Sequence, residues 1–462
     1  DDDYGELAGE DEYELDELIE QTVELQCWLR EPGAARPVRI SLSISDHEVS
    51  ATTPSHALTP YESQYEGYMG NYGNTIDRWY RRAAVVLWPK AMAFAVRAQA
   101  DPAWALSQIS RRLRASDTAV AQELVASLEP FWATAARAVQ SPRFVGAALR
   151  VAGSLDDGEL ARMLLAPLQI EALAPGHAAA LAGFVQRHGE RLLAGLLETW
   201  AQRPRWHAGP ADRAGWVTAL PRLCEALVTR GSSGEAAGVA LVTASLHWLT
   251  AAMRGALGDR APSRRSQALG ELAGPLTAVL HSAALLGAVK LRDEAIGFCT
   301  AQGDELVPCL VQALRAGAAL ARQMRRDSGL DQLADHCLGR LAVILDRPPR
   351  AGGDWSMQPP GDCGCELCAV LSKFLSDRTE RTLEWPLAEQ RRRHVHTIID
   401  AAELPVSHRT RRQGRPYTLV LTKTDALHET ERRERAARRA DARWLVAHTV
   451  QDTAPSDSLV LH

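Results

Sequence analysis

The spacing of apolar residues changes twice along the chain, and those changes divide it. Val23, Leu25, Cys27 and Leu29 alternate with polar residues, as do Ile40, Leu42 and Ile44. Alternation of period two marks a half-buried strand. A continuous apolar run at 83–88, closed by Pro89, predicts a third strand. Three short strands make neither a barrel nor a sandwich, so this stretch is expected to be a small sheet or the edge of a larger β-domain. From Asp101 to Asp346 the spacing becomes helical, as in Leu160, Met163, Leu164 and Leu168, in Leu181, Phe184 and Val185, and in Val307, Leu310, Val311 and Leu314. Breaks fall at Gly, Pro and short charged turns. Segments start about every twenty residues, and a helix pair of roughly 40 residues is in the range of HEAT-like repeats. No consensus recurs, so an irregular array accounts for the pattern as well as a true solenoid does.

A Pro/Gly-rich break at 347–361 separates the helices from a last module. There the pattern predicts helices over 365–376 and 387–402, a strand over 417–422 and a charged helix over 426–447. The expected chain is mainly α. It has an acidic lead-in over 1–20 that becomes a short helix near 13–20, and a small β segment with a Gly/Asn-rich loop over 21–98. An irregular, HEAT-like α-helical array over 99–346, a linker over 347–361 and a Cys-containing α+β module over 362–462 follow.

Composition narrows the picture. The 462 residues are 46% apolar and 24% charged, with a formal net charge of −5. Those are the values of an ordinary globular protein, and any polyanion-binding surface must be local. Eleven of the first twenty residues are carboxylates, a solvated stretch. Two runs, 236–253 and 272–289, carry no charge and touch the lower limit for a membrane span. Both are Ala-rich with a His, and the second holds Pro275, so they are expected as the buried centre of the array, with no membrane contact. No secretion signal is legible, and an intracellular, cytoplasmic chain with reduced thiols is expected. Because the first residue is Asp, a piece of a longer protein is expected.

Of eight cysteines, five are scattered through apolar stretches, where a free Cys behaves as a small hydrophobe. The other three cluster in Asp362-Cys-Gly-Cys-Glu-Leu-Cys368. The two-residue gap between Cys365 and Cys368 lets both sulfurs face one metal at a turn that opens a helix. With Cys363 they make three soft ligands, and zinc asks for a fourth. His394 is the candidate: it precedes Val395, sits one turn before Ile398 and Ile399, and should face inward, whereas His396 points away and His408 falls in a loop. A structural zinc on Cys363, Cys365, Cys368 and His394 is the leading reading. Three reduced, unligated thiols are the alternative.

Two polar stretches are candidate interaction surfaces. The loop with Gly67, Gly70, Gly73, Asn71 and Asn74 can visit left-handed backbone conformations and leads into Asp77, Arg78, Trp79, Tyr80, Arg81 and Arg82. It lacks the Gly-Lys-Ser/Thr ending of a phosphate loop and runs into a strand. The charged helix carries Arg432, Arg433, Arg435, Arg438, Arg439 and Arg443, but Glu429, Glu431 and Glu434 lie four residues before Arg433, Arg435 and Arg438, the spacing of surface ion pairs. Ala437, Ala440 and Trp444 form its expected docking stripe. A nucleic-acid partner is thus less expected than a protein partner. The segment 407–415, with His408, Arg409, Arg411, Arg412 and Arg415, is less neutralised and is the expected anion contact.

Taken together, Leu58-Thr-Pro-Tyr-Glu62, Tyr65-Glu-Gly-Tyr-Met-Gly-Asn71 and the run from Asp77-Arg-Trp-Tyr-Arg-Arg82 to Pro89 resemble a segment of large 2-oxoglutarate and Fe(II)-dependent oxygenase-like proteins of the prolyl 4-hydroxylase type. Cys363-Gly-Cys-Glu-Leu-Cys368 and Gly414-Arg-Pro-Tyr-Thr-Leu-Val-Leu-Thr-Lys423 resemble their C-terminal part. The resemblance implies a region downstream of a catalytic jelly-roll, with iron and 2-oxoglutarate held in an upstream domain outside this chain. An oxygenase of that kind needs two His and one carboxylate, normally a His-x-Asp/Glu pair and a distant His. No such motif is expected here. Asp46-His47-Glu48-Val49 superficially resembles a distal-His segment, yet no iron ligand is carried over to this chain.

Overall fold

The structure, a computed structural model, describes residues 24–29, 38–43, 58–61, 79–83, 93–137, 139–202, 210–361 and 363–453. They fall into two compact units, 1–168 and 169–462.

In the first unit, β1 (Glu24–Leu29) and β2 (Val38–Ser43) pair antiparallel, with Cys27 opposite Ile40. A second antiparallel pair joins β3 (Leu58–Tyr61) to β4 (Trp79–Ala83), with a register shift at Thr59/Pro60. The first two expected strands are therefore present. The third, expected at 83–88, lies outside the described residues except for Ala83, which ends β4. Pairing with Leu58–Tyr61 sets the position of β4, a long-range partner that local apolarity does not show. The acidic lead-in, with its expected helix, also lies outside them.

Among the described residues of this unit, six helices follow: α1 (Ala93–Ala100), α2 (Pro102–Arg114), α3 (Thr118–Ala126), α4 (Glu129–Arg137), α5 (Pro142–Ser154) and α6 (Gly158–Leu165). Their starts follow from side chains. Asp101, Ser141 and Asp157 each accept a hydrogen bond from a first-turn N–H, and Pro102 and Pro142 occupy positions whose N–H would have no partner. Trp132 is buried on this core, its indole N–H donating to the Leu164 carbonyl at 2.9 Å.

The second unit begins with an irregular array: α7 (Ala178–His188), α8 (Glu190–Gln202), α9 (Pro210–Val228), α10 (Ser232–Leu257), α11 (Pro262–Glu271), α12 (Ala273–Leu285), α13 (Val289–Ala301), α14 (Val307–Gly317), α15 (Arg322–Asp327) and α16 (Leu330–Asp346). The two uncharged runs are α10 and α12, which pack with α9 at the centre. By length and composition α10 and the stretch Pro262–Leu285, which joins α11 to α12, are apolar enough to cross a membrane. Gly329 turns the chain into α16 with φ +75°, a left-handed value that suits glycine. Cys224, Cys299, Cys309 and Cys337 are buried here, and burial pushes each thiol up to about 12.

The last part runs α17 (Glu366–Ser376), β5 (Thr382–Pro386), α18 (Glu389–Ala401), β6 (Val406–Arg411), β7 (Thr418–Lys423) and α19 (Ala426–Thr453). β7 is the middle strand of an antiparallel sheet ordered β5-β7-β6. Its inward residues Leu419 and Leu421 meet Leu371, Phe374 and Leu375 of α17 and Val395 and Ile399 of α18 in one small core. The segment 347–361 is strapped down: Trp355 and Met357 donate backbone N–H groups to the carbonyls of Arg378 and Leu375.

α19 docks differently from the expectation. Ala437 and Ala440 are exposed, whereas Trp444 is half-buried beneath the Arg315 guanidinium and Leu445 is buried, and several of the contacts are polar. Glu431 accepts from Arg350 Nε at 2.6 Å, Arg435 donates to the Leu345 carbonyl, and Asp441 accepts from Arg315 at 2.7 Å. Of the three expected intrahelical ion pairs, only Glu434–Arg438 is formed, at 3.1 Å. Partners on other elements draw Glu431 and Arg435 away, an effect invisible in the spacing within the helix.

Candidate metal centre

Cys365 is the residue before α17, in extended backbone, and Gly364 beside it has φ +73°. That left-handed residue turns the chain so that sulfurs two positions apart converge. Cys368 follows in the first turn and is buried. His394 comes from α18, whose neighbouring Val395 is packed in the small core. The four ligand atoms lie within 4.8 Å of one another. His394 Nε2 is 3.7 Å from Cys363 Sγ, 3.4 Å from Cys365 Sγ and 3.5 Å from Cys368 Sγ, and the sulfurs of Cys363 and Cys368 are 3.5 Å apart.

These distances can be set against a metal. Ligand bonds of about 2.3 Å to sulfur and about 2.0–2.1 Å to nitrogen, in a tetrahedron, put S···N edges near ~3.6 Å and S···S edges near ~3.8 Å. These four edges match to within a few tenths of an ångström, and the Cys363–Cys368 sulfur separation is far beyond the ~2.05 Å of a disulfide. The cluster can hold a metal ion such as zinc. It is the one group of three or more His, Cys, Asp and Glu side chains with converging ligand atoms among the described residues.

Electrostatics within the cluster are uneven. The Cys368 backbone N–H, donated to the Cys365 sulfur, together with the Cys363 and His394 side chains, brings the Cys365 thiol down to about 6. Burial pushes Cys368 up to about 11. A bound cation would favour the thiolate at every sulfur and remove that difference.

The other sequence candidates are dispersed. Trp79, Tyr80, Arg81 and Arg82 lie in β4, while Asn71, Asn74, Asp77 and Arg78 lie outside the described residues. The expected anion loop at 407–415 is largely strand β6, and it divides its charges between two faces. Arg411 pairs across the sheet with Glu384, whereas Arg412 lines a cleft with Arg392, Arg393 and Tyr417. Arg409 alternates outward with Arg411, and Arg415 precedes a cis proline, Pro416. His408 is therefore on a strand, with Nε2 3.0 Å from Asp400 Oδ1 and its other nitrogen against His396. So His396 points toward the sheet. The strand was hidden because only Val406 in it is a buried apolar residue.

The expectation of no His-x-Asp/Glu spacing is corrected by His188-Gly189-Glu190. His188 ends α7 with its ring 5.0 Å from that of Phe184, and Glu190 opens α8 and is exposed. No third ligand converges on this pair among the described residues.

Comparison with family models, with curated proteins and with solved structures finds no match for this chain.

Proposed function

We propose that this chain is a non-catalytic, protein-binding region of a 2-oxoglutarate/Fe(II) oxygenase-like protein, with its C-terminal module held closed by a structural zinc ion. The observation that carries the zinc reading is the convergence of the ligand atoms of Cys363, Cys365, Cys368 and His394 to within 4.8 Å of one another. Four protein ligands leave no position for substrate or water, which is the mark of a structural site. The segments resembling the part of prolyl 4-hydroxylase-type proteins downstream of the jelly-roll support the accessory role. A half-buried cleft of about 750 Å³ between α8 and α10, with Leu197, Val239 and Trp248 on its walls, supports partner binding by the array. Bound zinc would tie the first turn of α17 to α18, and its binding free energy would be part of the module's folding free energy.

Elemental analysis of the chain purified without added metal tests this reading. About one zinc per chain, no iron, and loss of protease resistance over 363–453 on chelation, with 210–346 still resistant, is the expected result. Cys368→Ser should behave like the chelated protein. Stoichiometric iron whose binding responds to 2-oxoglutarate would overturn the accessory role, and a module equally resistant with and without metal would overturn the staple.

A further inference from the structure

The four ligands of the thiol cluster are not equally open to solvent. Cys363 is exposed, Cys365 and His394 are half-buried, and Cys368 is buried. Cys363 also stands outside the regular elements, on the segment that leads into α17. A solute approaching the cluster therefore meets the Cys363 sulfur first. A sulfur that ligates zinc is a thiolate, and the thiolate is the form that peroxides oxidise. The array thiols Cys224, Cys299, Cys309 and Cys337 are all buried and out of reach.

A second observation falls on the same sulfur. Cys363 Sγ is 3.5 Å from Cys368 Sγ, and a disulfide needs about 2.05 Å, so the two must close a gap of about 1.5 Å. The segment that would move contains Gly364, which has open space around its Cα. No side chain there blocks the approach. A second thiol thus waits beside the reachable one, the arrangement in which oxidation ends at a reversible disulfide instead of running on to a sulfinic acid.

We propose that Cys363 is a site of peroxide modification, at which oxidation to a disulfide with Cys368 ejects the metal, an inference that rests on zinc occupying the cluster. In the first step the Cys363 thiolate attacks one oxygen of hydrogen peroxide: an S–O bond forms, the O–O bond breaks, and the departing hydroxide takes up a proton to become water. In the second the Cys368 thiolate attacks the sulfenic sulfur: the S–S bond forms, the S–O bond breaks, and a second hydroxide leaves and is protonated. The two sulfurs together give up two electrons, and the peroxide accepts them. Zinc then keeps only Cys365 and His394, too few ligands for a closed site. With its tie to the first turn of α17 gone, α18 is free to lift Val395 and Ile399 out of the small core. A thiol reductant reverses the disulfide by exchange, and the metal can return.

The test doses the full chain with hydrogen peroxide in the presence of a chromogenic zinc chelator, after its metal content has been measured. A chain that carries no zinc before peroxide is added overturns the zinc reading and the switch together. From about one zinc per chain at the outset, peroxide should release the metal, peptide mapping should find a Cys363–Cys368 disulfide, and trypsin should begin to cut α18 at Arg391, Arg392 or Arg393. Dithiothreitol with added zinc should reverse all three. Cys363→Asp can supply an oxygen ligand but has no sulfur to oxidise, so its zinc release should be slower by about tenfold or more. Cys299→Ser removes a thiol buried in the array and should leave the rate within about twofold. Should Cys363→Asp hold no zinc, the cross-link map of the unsubstituted chain decides alone. Zinc retained under peroxide, equal release from Cys363→Asp, or Cys363 mapped as a sulfinic acid with no cross-link would overturn the switch and leave the structural zinc standing.

Discussion

Lys423→Met asks how firmly the sheet holds the helix that carries the thiols. Lys423 is fully buried at the end of β7. Its Nζ donates to the carbonyls of Asp377 at 2.7 Å and Leu375 at 3.3 Å and lies 4.6 Å from the centre of the Phe374 ring. Those carbonyls close the C-terminal end of α17, whose first turn carries Cys368. Methionine keeps most of the stem and its packing but can donate nothing. The Leu375 carbonyl retains the Met357 N–H. Asp377 loses its ammonium donor, at about 1.5–3 kcal/mol for a bond to a charged group. The cation over Phe374 contributes about 0.5–1 kcal/mol more. Relief of the buried charge, which holds the lysine below its ordinary range, offsets part of this. A net loss of about 1–3 kcal/mol remains. At about 2–4 °C per kcal/mol for domains of about 150–250 residues, melting should fall by roughly 2–12 °C. Calorimetry of the metal-loaded chain measures that fall, and competition with a chromogenic chelator should show faster metal loss. A melting point within about 1 °C of the unsubstituted chain, with unchanged metal release, would refute the clasp.

Two further substitutions probe the array and the sheet. Gly329→Ala must adopt a left-handed backbone and place a Cβ in steric overlap with Ile296 Cδ1, so strain and overpacking together should cost about 2–4 kcal/mol, read from the urea midpoint. An unchanged midpoint would mean that the loop before α16 yields freely. Glu384 is held below the usual carboxylate range by its hydrogen bond and charge pairing with Arg411. Its contribution is therefore present above the unfolded value of about 4 and is lost as pH falls through the lower folded value. Glu384→Gln should melt below the parent chain at pH 6, and the gap should close on acidification below about pH 4. A gap independent of pH would place the effect in packing rather than charge.

The array was legible because burial repeats with the helix: Leu181, Phe184 and Val185 of α7 carry the pattern and are buried, and the two uncharged runs became α10 and α12. The metal ligands were legible for a related reason. Three thiols in six residues are a local signal, and His394 is marked by the apolar residues that turn its helix inward. What failed was whatever depends on partners distant in sequence. β6 is an edge strand with mostly polar residues, so its identity comes from β7. α19 docks through Arg350, Leu345 and Arg315, none of which its own sequence names.

α19 also belongs to two neighbourhoods at once. Leu427 packs against the core of the sheet module, while Leu445 and Asp441 reach the helices α16 and α14. Its 28 residues make a rod about 42 Å long. A rod of that length acts as a lever, because a tilt of about 5° at one end carries the other through nearly ~4 Å, most of a helical turn. Whatever fixes the seat of its first turns therefore sets the alignment of the far helices, with no direct contact between the thiol cluster and the array required.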